Sequence, residues 1–238
     1  MGIQEAMSAL GDHRDLSSNE AAAAMRDIVS GRATGDDVER FAAALRQKGE
    51  TADELTAMVQ VMREATVAVE ADGPLLDTAG TGGDNQRSFN ISTVAAIVAA
   101  AAGVRVAKQH DRAVTSRCGS TELLETFGVA PDLPPDAAAR CLGETGLCFL
   151  SVPRYHAEAF SQLREAAPAV EARPLLHLLG LLANPARAQH QLLGVADAHL
   201  AEVAAEALRR LGTTHSLVVR GDDGMTRSPA PGQRPCAK

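Results

Sequence analysis

No two of the four cysteines, Cys118, Cys141, Cys148 and Cys236, stand at the close spacing of a zinc site or in the pattern of a secreted disulfide framework, so a reducing cytoplasm is the expected setting. Basic residues are not in excess. With 23 Lys and Arg against 30 Asp and Glu, the formal net charge is −7, which argues against a general affinity for nucleic acid or an anionic membrane surface. No charged leader followed by an apolar core opens the chain, and Met1-Gly2-Ile3-Gln4-Glu5-Ala6 lacks the Ser or Thr of a myristoylation signal, so neither export nor a lipid anchor is expected. The apolar run from Val94 to Val104 is far shorter than the roughly 20 residues that span a bilayer and is mostly alanine; it reads as a buried helix. Although alanine is abundant, there is no internal repeat of useful length and no long low-complexity tract.

What is present suits a globular chain. Its 238 residues, 45% of them apolar, are enough to bury a substantial core in one domain with a small accessory one. Up to about Val69 the pattern is helical. Asp15-Leu16-Ser17-Ser18-Asn19-Glu20 supplies capping residues for a helix from Ala21 to Val29 that ends near Gly31. A second helix starts at Gly35-Asp36-Asp37, with Val38, Phe41, Ala42 and Leu45 on one face, and Lys48-Gly49-Glu50-Thr51 is a stop followed by a new cap. A third runs from Ala52 to about Val69. These helices are too alanine-rich to make a large core alone, so they are expected to pack on the rest of the chain or on another copy of it.

After Gly73-Pro74 short strand-like runs alternate with helical ones: Leu75 to Thr78, Arg105 to Ala107, Leu147 to Val152, Gln191 to Val195 and Ser216 to Arg220. The expected fold is therefore α/β, a small N-terminal helical domain over residues 1–72 and a larger, mostly parallel α/β domain over 73–226. Residues 227–238 read as a disordered tail.

The richest motif is Asp77-Thr78-Ala79-Gly80-Thr81-Gly82-Gly83-Asp84, which follows a strand-like run and precedes a helix-like one. Glycine lets a backbone approach phosphate closely, and the helix that follows offers N–H groups and the positive end of its dipole. That helix opens at Asn90-Ile91-Ser92-Thr93, whose short polar side chains suit capping and bonding to a ligand oxygen. A second polar segment, Lys108-Gln109-His110-Asp111-Arg112-Ala113-Val114-Thr115-Ser116 followed by Gly119-Ser120, leaves the next strand-like run with two cations and several hydroxyls. In an α/β sheet both segments fall at strand C-termini and face one ligand, a diphosphate by their chemistry.

At these residues the chain resembles the anthranilate phosphoribosyltransferase family, which shares its fold with pyrimidine nucleoside phosphorylases. Lys48 to Thr51, the Asp77 to Asp84 turn, Asn90 to Thr93, Lys108 with Arg112 to Ser116, Gly119-Ser120, Leu124-Glu125, Leu178-Leu179-Gly180 and Asn184-Pro185 carry the likeness, which covers roughly residues 8 to 224. The resemblance implies a homodimer formed through the helical domain, and transfer of phosphoribose from 5-phosphoribosyl diphosphate (PRPP) to the amine of anthranilate with Mg2+. It implies substrate binding by Gly80, Gly82, Gly83, Asp84, Ser88, Asn90, Ile91, Ser92, Thr93, Lys108, Asp111, Ser116 and Ser120, of which Gly80, Gly83, Asp84, Ser88, Asn90, Ser92, Thr93, Lys108 and Ser120 match the PRPP pattern, with Ser92 also contacting the metal. Lys108 and Arg112 would stabilise the leaving diphosphate as the catalytic cations.

Against the family the α/β domain reads as incomplete at its C-terminus, and within the part that is present the chain departs from the family pattern in three places. Lys108-Gln109-His110-Asp111-Arg112 stands where the family usually has Lys-His-Gly-Asn-Arg, so Asp111 puts an acceptor-only anion near the expected substrate carboxylate and His110 adds a side chain in place of a glycine. Ala166 or Ala167 stands where an arginine usually pairs with the anthranilate carboxylate, and Thr226-Arg227 where an Asp-Glu pair usually holds magnesium. Two alternatives follow: a PRPP-dependent transferase with a different acceptor, or a non-catalytic remnant that binds ligand only.

Overall fold

The computed structural model describes residues 2–81, 90–111, 119–158, 160, 173–221 and 226. It opens with four helices, α1 (Ile3–Gly11), α2 (Ser18–Val29), α3 (Gly35–Lys48) and α4 (Ala52–Ala65). Three of them start the same way. The hydroxyls of Ser17, Thr34 and Thr51 accept from the backbone N–H three residues on, where Glu20, Asp37 and Glu54 return the bond to the capping residue. Gly49 ends α3 with φ 93, a conformation that costs a residue with a Cβ.

The third helix of the sequence reading stops four residues early. At Thr66 the backbone turns extended and Val67 and Val69 donate to the carbonyls of Tyr155 and Pro185 at 2.8 and 3.1 Å, so this stretch leads into the second domain. α1, by contrast, is a helix that the sequence reading does not separate; its Ile3, Ala6, Ala9 and Leu10 are buried at helical spacing.

The second domain alternates as expected: β1 (Leu76–Gly80), α5 (Ile91–Ala101), β2 (Val106–His110), α6 (Ser120–Thr126), α7 (Pro135–Thr145), β3 (Leu147–Ser151), α8 (Val152–Tyr155), α9 (Arg173–Leu182), β4 (His190–Gly194), α10 (Ala198–Arg210) and β5 (His215–Val219). The five strands are all parallel, in the order β3-β2-β1-β4-β5. The sequence reading ends the first two strands too soon, at Thr78, where the glycine-rich turn begins, and at Ala107, where polar residues follow; both run on, through Gly80 and His110.

The helical domain does not stand apart. Met25, Phe41, Leu55 and Met58 share one continuous core with Leu178 of α9, Leu193 of β4, and Leu200 and Leu208 of α10. The expected packing on the rest of the chain is thus what the fold shows. The other face of the sheet carries α5, whose burial is narrower than the sequence suggests: Ala96 is fully buried, but Val94, Ile97 and Val98 are 43, 41 and 62% exposed. Among the described residues no helix is long and apolar enough to cross a membrane.

Candidate functional site

β1, β2 and β4 end side by side, Gly80 opposite Gly194, and the chain leaves β1 towards α5 and β2 towards α6. The two departing segments meet. Asn90 Nδ2 donates to the Gly119 carbonyl at 2.9 Å, and Thr93 Oγ1 donates to Ser120 Oγ at 3.1 Å. Asn90 thus occupies the N-cap position of α5 but turns its side chain to the neighbouring segment instead of capping its own helix. Thr78 Oγ1 anchors the first turn of α5 by donating to the Ser92 carbonyl at 2.8 Å. The positive end of the α5 dipole therefore lies at the C-terminal edge of β1, where an anion is favoured.

Two amides that a phosphate cradle would offer are already engaged. Thr81 N donates to the Gly194 carbonyl at 2.9 Å, and Thr93 N to the Asn90 carbonyl at 3.0 Å. Thr226 crosses the same edge. A Cβ built on Gly194 would lie 2.0 Å from the Thr226 carbonyl, and one on Gly80 would lie 3.5 Å from the Thr226 hydroxyl, so glycine at 194 is what admits this crossing.

Lys108 reads as a loop cation in the sequence and is not one. It sits within β2, only 2% exposed, with Nζ donating to the carbonyls of Thr78 and Gln109. Burial pulls its pKa from 10.5 to about 8, against the opposing attraction of Asp77. Burial also pushes the Asp77 carboxyl up, opposed by the Lys108 charge and by donors from Asn184 and Gln109. Asp77 Oδ1 accepts from Gln109 N at 3.2 Å, and Oδ2 from Asn184 Nδ2 at 2.8 Å and Gln109 Nε2 at 3.3 Å. The network continues from Gln109 Oε1 to His156 Nε2 at 3.1 Å, and from His156 Nδ1 to Thr66 Oγ1 at 3.0 Å. A buried chain of polar groups thus links the linker after α4 to the floor beneath α5.

Sequence reasoning misses Gln109, His156 and the buried part played by Asn184. Gln109 enters it only as a departure from the family pattern, although alternation along β2 sets it on the face opposite Lys108. His110, in place of a glycine, fills a closed niche: Nε2 donates to the Pro131 carbonyl at 2.7 Å, Nδ1 accepts from Thr121 Oγ1 at 3.0 Å, and the ring meets Phe149 edge-on at 6.3 Å. The donor and acceptor roles follow from the carbonyl, which can only accept. Burial lowers the pKa of His110 and favours this neutral form.

Of the residues expected to bind ligand, Gly80, Asn90, Ile91, Ser92, Thr93, Asp111 and Ser120 line the edge where β1 and β2 end, and Lys108 lies under it. Gly82, Gly83, Asp84, Ser88, Arg112 and Ser116 lie outside the described residues, as do Ala166, Ala167, Arg227 and the tail. Among the described residues no three His, Cys, Asp or Glu side chains gather as a metal cage. The described hydroxyls at this edge, among them those of Ser92, Thr93, Ser120 and Thr226, are neutral. Mg2+ usually keeps waters and substrate phosphate oxygens, so this donor set fits an ion carried in with a diphosphate and does not fit one caged by protein alone.

Fold and site define a class: residues 4–66 match the helical bundle domain of the glycosyl transferase family and residues 72–233 its a/b domain, and the chain belongs to this family. Within the family its relatives are anthranilate phosphoribosyltransferases. The protein of that name from Chloroflexus aurantiacus is 48% identical over 228 residues, 94% of this chain and 66% of the relative; that from Moorella thermoacetica is 47% identical over 88% of this chain and 62% of its own. The crystal structure of anthranilate phosphoribosyltransferase from Thermus thermophilus superposes with a TM-score of 0.79 at 37% identity, covering 87% of this chain and 63% of that one. The Saccharomyces cerevisiae protein in complex with PRPP and Mg shares the fold, with a TM-score of 0.81 at 24% identity over 95% of this chain and 67% of that one. The chain thus spans just under two thirds of the length of these curated relatives.

Proposed function

We propose that this chain binds PRPP where β1 and β2 end, and that it transfers the phosphoribosyl group to the amine of anthranilate with release of diphosphate. The observation that carries the reading is the joining of the two polar segments by Asn90 to Gly119 and Thr93 to Ser120, in a chain 48% identical to a relative of that name. Mg2+ held at Ser92 would neutralise charge on the departing diphosphate. The chain's own contribution is position and field. The first turn of α5 and the Ser92 and Ser120 hydroxyls orient the diphosphate, and the backbone of the Gly80 turn leaves room for it. Gly82, Gly83, Asp84, Ser88 and Ser116 complete the donor site in this reading.

Lys108 acts from below. Its ammonium is bonded to carbonyls of β1 and β2, so it supports the bound anion electrostatically through a low-dielectric floor, while Arg112 is assigned direct contact with the leaving group. An aromatic amine is already nucleophilic, so no strong base is required. Residues 1–72 and 73–226 are taken as the two domains, the former as the homodimer contact, and the cytoplasm as the compartment, in keeping with the free thiols of Cys141 and Cys148.

A second reading, a different acceptor, is favoured by the closed niche of His110 and by Asp111 at the edge beside it. An anion there opposes a carboxylate acceptor. Calorimetric titration with PRPP and Mg2+, followed by an assay for the phosphoribosylated amine and diphosphate, tests both. Donor binding with turnover of anthranilate supports the first reading. Donor binding with turnover only of an uncharged amine supports the second, donor binding without turnover of any amine marks a ligand-binding remnant, and no donor binding overturns all three.

A further inference from the structure

We propose that His110 is a positioning residue for the donor site: it fixes the first turn of α6, and with it the Ser120 hydroxyl, by tying Thr121 to the carbonyl of Pro131. The role rests on the reading of this edge as a PRPP site. It belongs to this chain, whose His110 stands where the family usually has a glycine.

Three consecutive residues at the start of α6 are each held. Asn90 Nδ2 donates to the Gly119 carbonyl and Thr93 Oγ1 to Ser120 Oγ, both from the start of α5. Thr121 is held from β2 instead. Its N–H donates to the Asp111 carbonyl at 3.2 Å, and its hydroxyl donates to His110 Nδ1 at 3.0 Å. Ser120 therefore stands between a residue held by α5 and one held by β2, and the direction of its hydroxyl depends on both. The other ring nitrogen of His110, Nε2, donates to the Pro131 carbonyl at 2.7 Å.

That carbonyl belongs to a pinned segment. Asp132 Oδ1 accepts from Arg154 Nε and the Leu133 carbonyl accepts from the Tyr155 hydroxyl, both at 2.7 Å and both from α8. Phe149 of β3 meets the imidazole edge-on, and His110 is only 4% exposed. The ring is thus a strut between a segment tied to α8 and the first turn of α6. A neutral imidazole has one donor and one acceptor, and both are used here. Glycine has neither side-chain group, so it would leave the Pro131 carbonyl and the Thr121 hydroxyl without this partner and would join Thr121 to the end of β2 through backbone alone. A donor that must order this turn as it binds gives up affinity for doing so.

The test is His110→Gly, which installs the residue usual in the family and opens a niche for a free azole, compared with the unaltered chain by calorimetry with PRPP and Mg2+ and by amide exchange without donor. Donor affinity should fall roughly tenfold, the scale of one lost buried hydrogen bond, and the amides of residues 119–121 should exchange faster. Added imidazole should restore both. N-methylimidazole, which fills the same space and accepts but cannot donate, should restore neither. Thr121→Val, which keeps the shape of the side chain and removes the hydroxyl, should lower donor affinity in the same direction, and it decides the matter if neither azole enters the niche. Unchanged donor affinity in folded His110→Gly or in Thr121→Val, a loss without faster exchange at residues 119–121, or equal rescue by the two azoles would each overturn the proposal. Failure of the unaltered chain to bind PRPP would instead overturn the functional reading, because the exchange and azole measurements, made without donor, report on α6 alone.

Discussion

Two lysines are covered by protein, one in each domain, and their surroundings are opposite. Lys48, whose side chain is 4% exposed, bonds two carboxylates, Glu54 Oε2 at 2.9 Å and Asp15 Oδ1 at 2.7 Å. Burial lowers its pKa, but the bonds and charges of Asp15 and Glu54 outweigh burial and leave it raised. Lys108, 2% exposed, bonds two neutral carbonyls, and burial leaves it at about 8. The first is a completed tie, with Glu54 also accepting from Leu16 N and Thr51 N at 2.7 and 2.8 Å. The second is a cation held at a cost beneath an edge suited to an anion. Under the proposed function, the contrast separates a residue that stabilises the fold from one kept for a ligand.

The comparison breaks most sharply in stability. Glu54→Gln, which removes the buried carboxylate partner of Lys48, should lower unfolding free energy by about 3 kcal/mol in urea titration, the lower end for a broken buried ion pair. Lys108→Met should lower the unfolding midpoint less than Glu54→Gln does, yet weaken PRPP binding by roughly 10- to 100-fold in calorimetry, the range for a charged hydrogen-bonding partner. If the two variants fell in the opposite order, the assignment of roles would be reversed.

A pH series sharpens the same contrast. Because the pKa of Lys108 in the folded chain is about 8, below its ordinary 10.5, the unfolded chain holds more protons between those values. Its contribution to stability therefore increases as pH rises across that window. Donor affinity runs the other way, since the ammonium attracts the diphosphate, and should fall as pH rises through about 8. Lys108→Met should flatten this limb. The smallest effect is expected from Asn90→Ala, which removes the bond to the Gly119 carbonyl and should cost about 0.5 to 1.5 kcal/mol of donor binding by loosening the two segments.

Much of this architecture is legible in the residues, and the misreadings share a cause. The capping boxes at Ser17, Thr34 and Thr51 and the apolar face of Val38, Phe41 and Leu45 mark their helices without tertiary help. All five strands are found, but β1 is cut short at its glycine-rich end and β2 where Lys108, Gln109 and His110 look too polar for a sheet interior. They are buried because each has partners far off in sequence: Thr78 for Lys108, Asp77 and His156 for Gln109, Pro131 for His110. Local patterns carry no record of such partners. α4 is overextended for the same reason, since the turn at Thr66 is fixed by bonds to Tyr155 and Pro185. The outer face of α5 shows the converse error: valine and isoleucine suggest burial, and only contact with the sheet decides which side is covered.

The central claim is that the edge formed by β1, β2 and the first turn of α5 grips a sugar diphosphate. Amide exchange of the whole chain, with and without PRPP and Mg2+, tests it most directly. The account predicts slower exchange at residues 76–81, 90–93, 106–111 and 119–121, with the helical domain unchanged around Lys48. A folded chain whose exchange in those four segments is indifferent to saturating PRPP would contradict it.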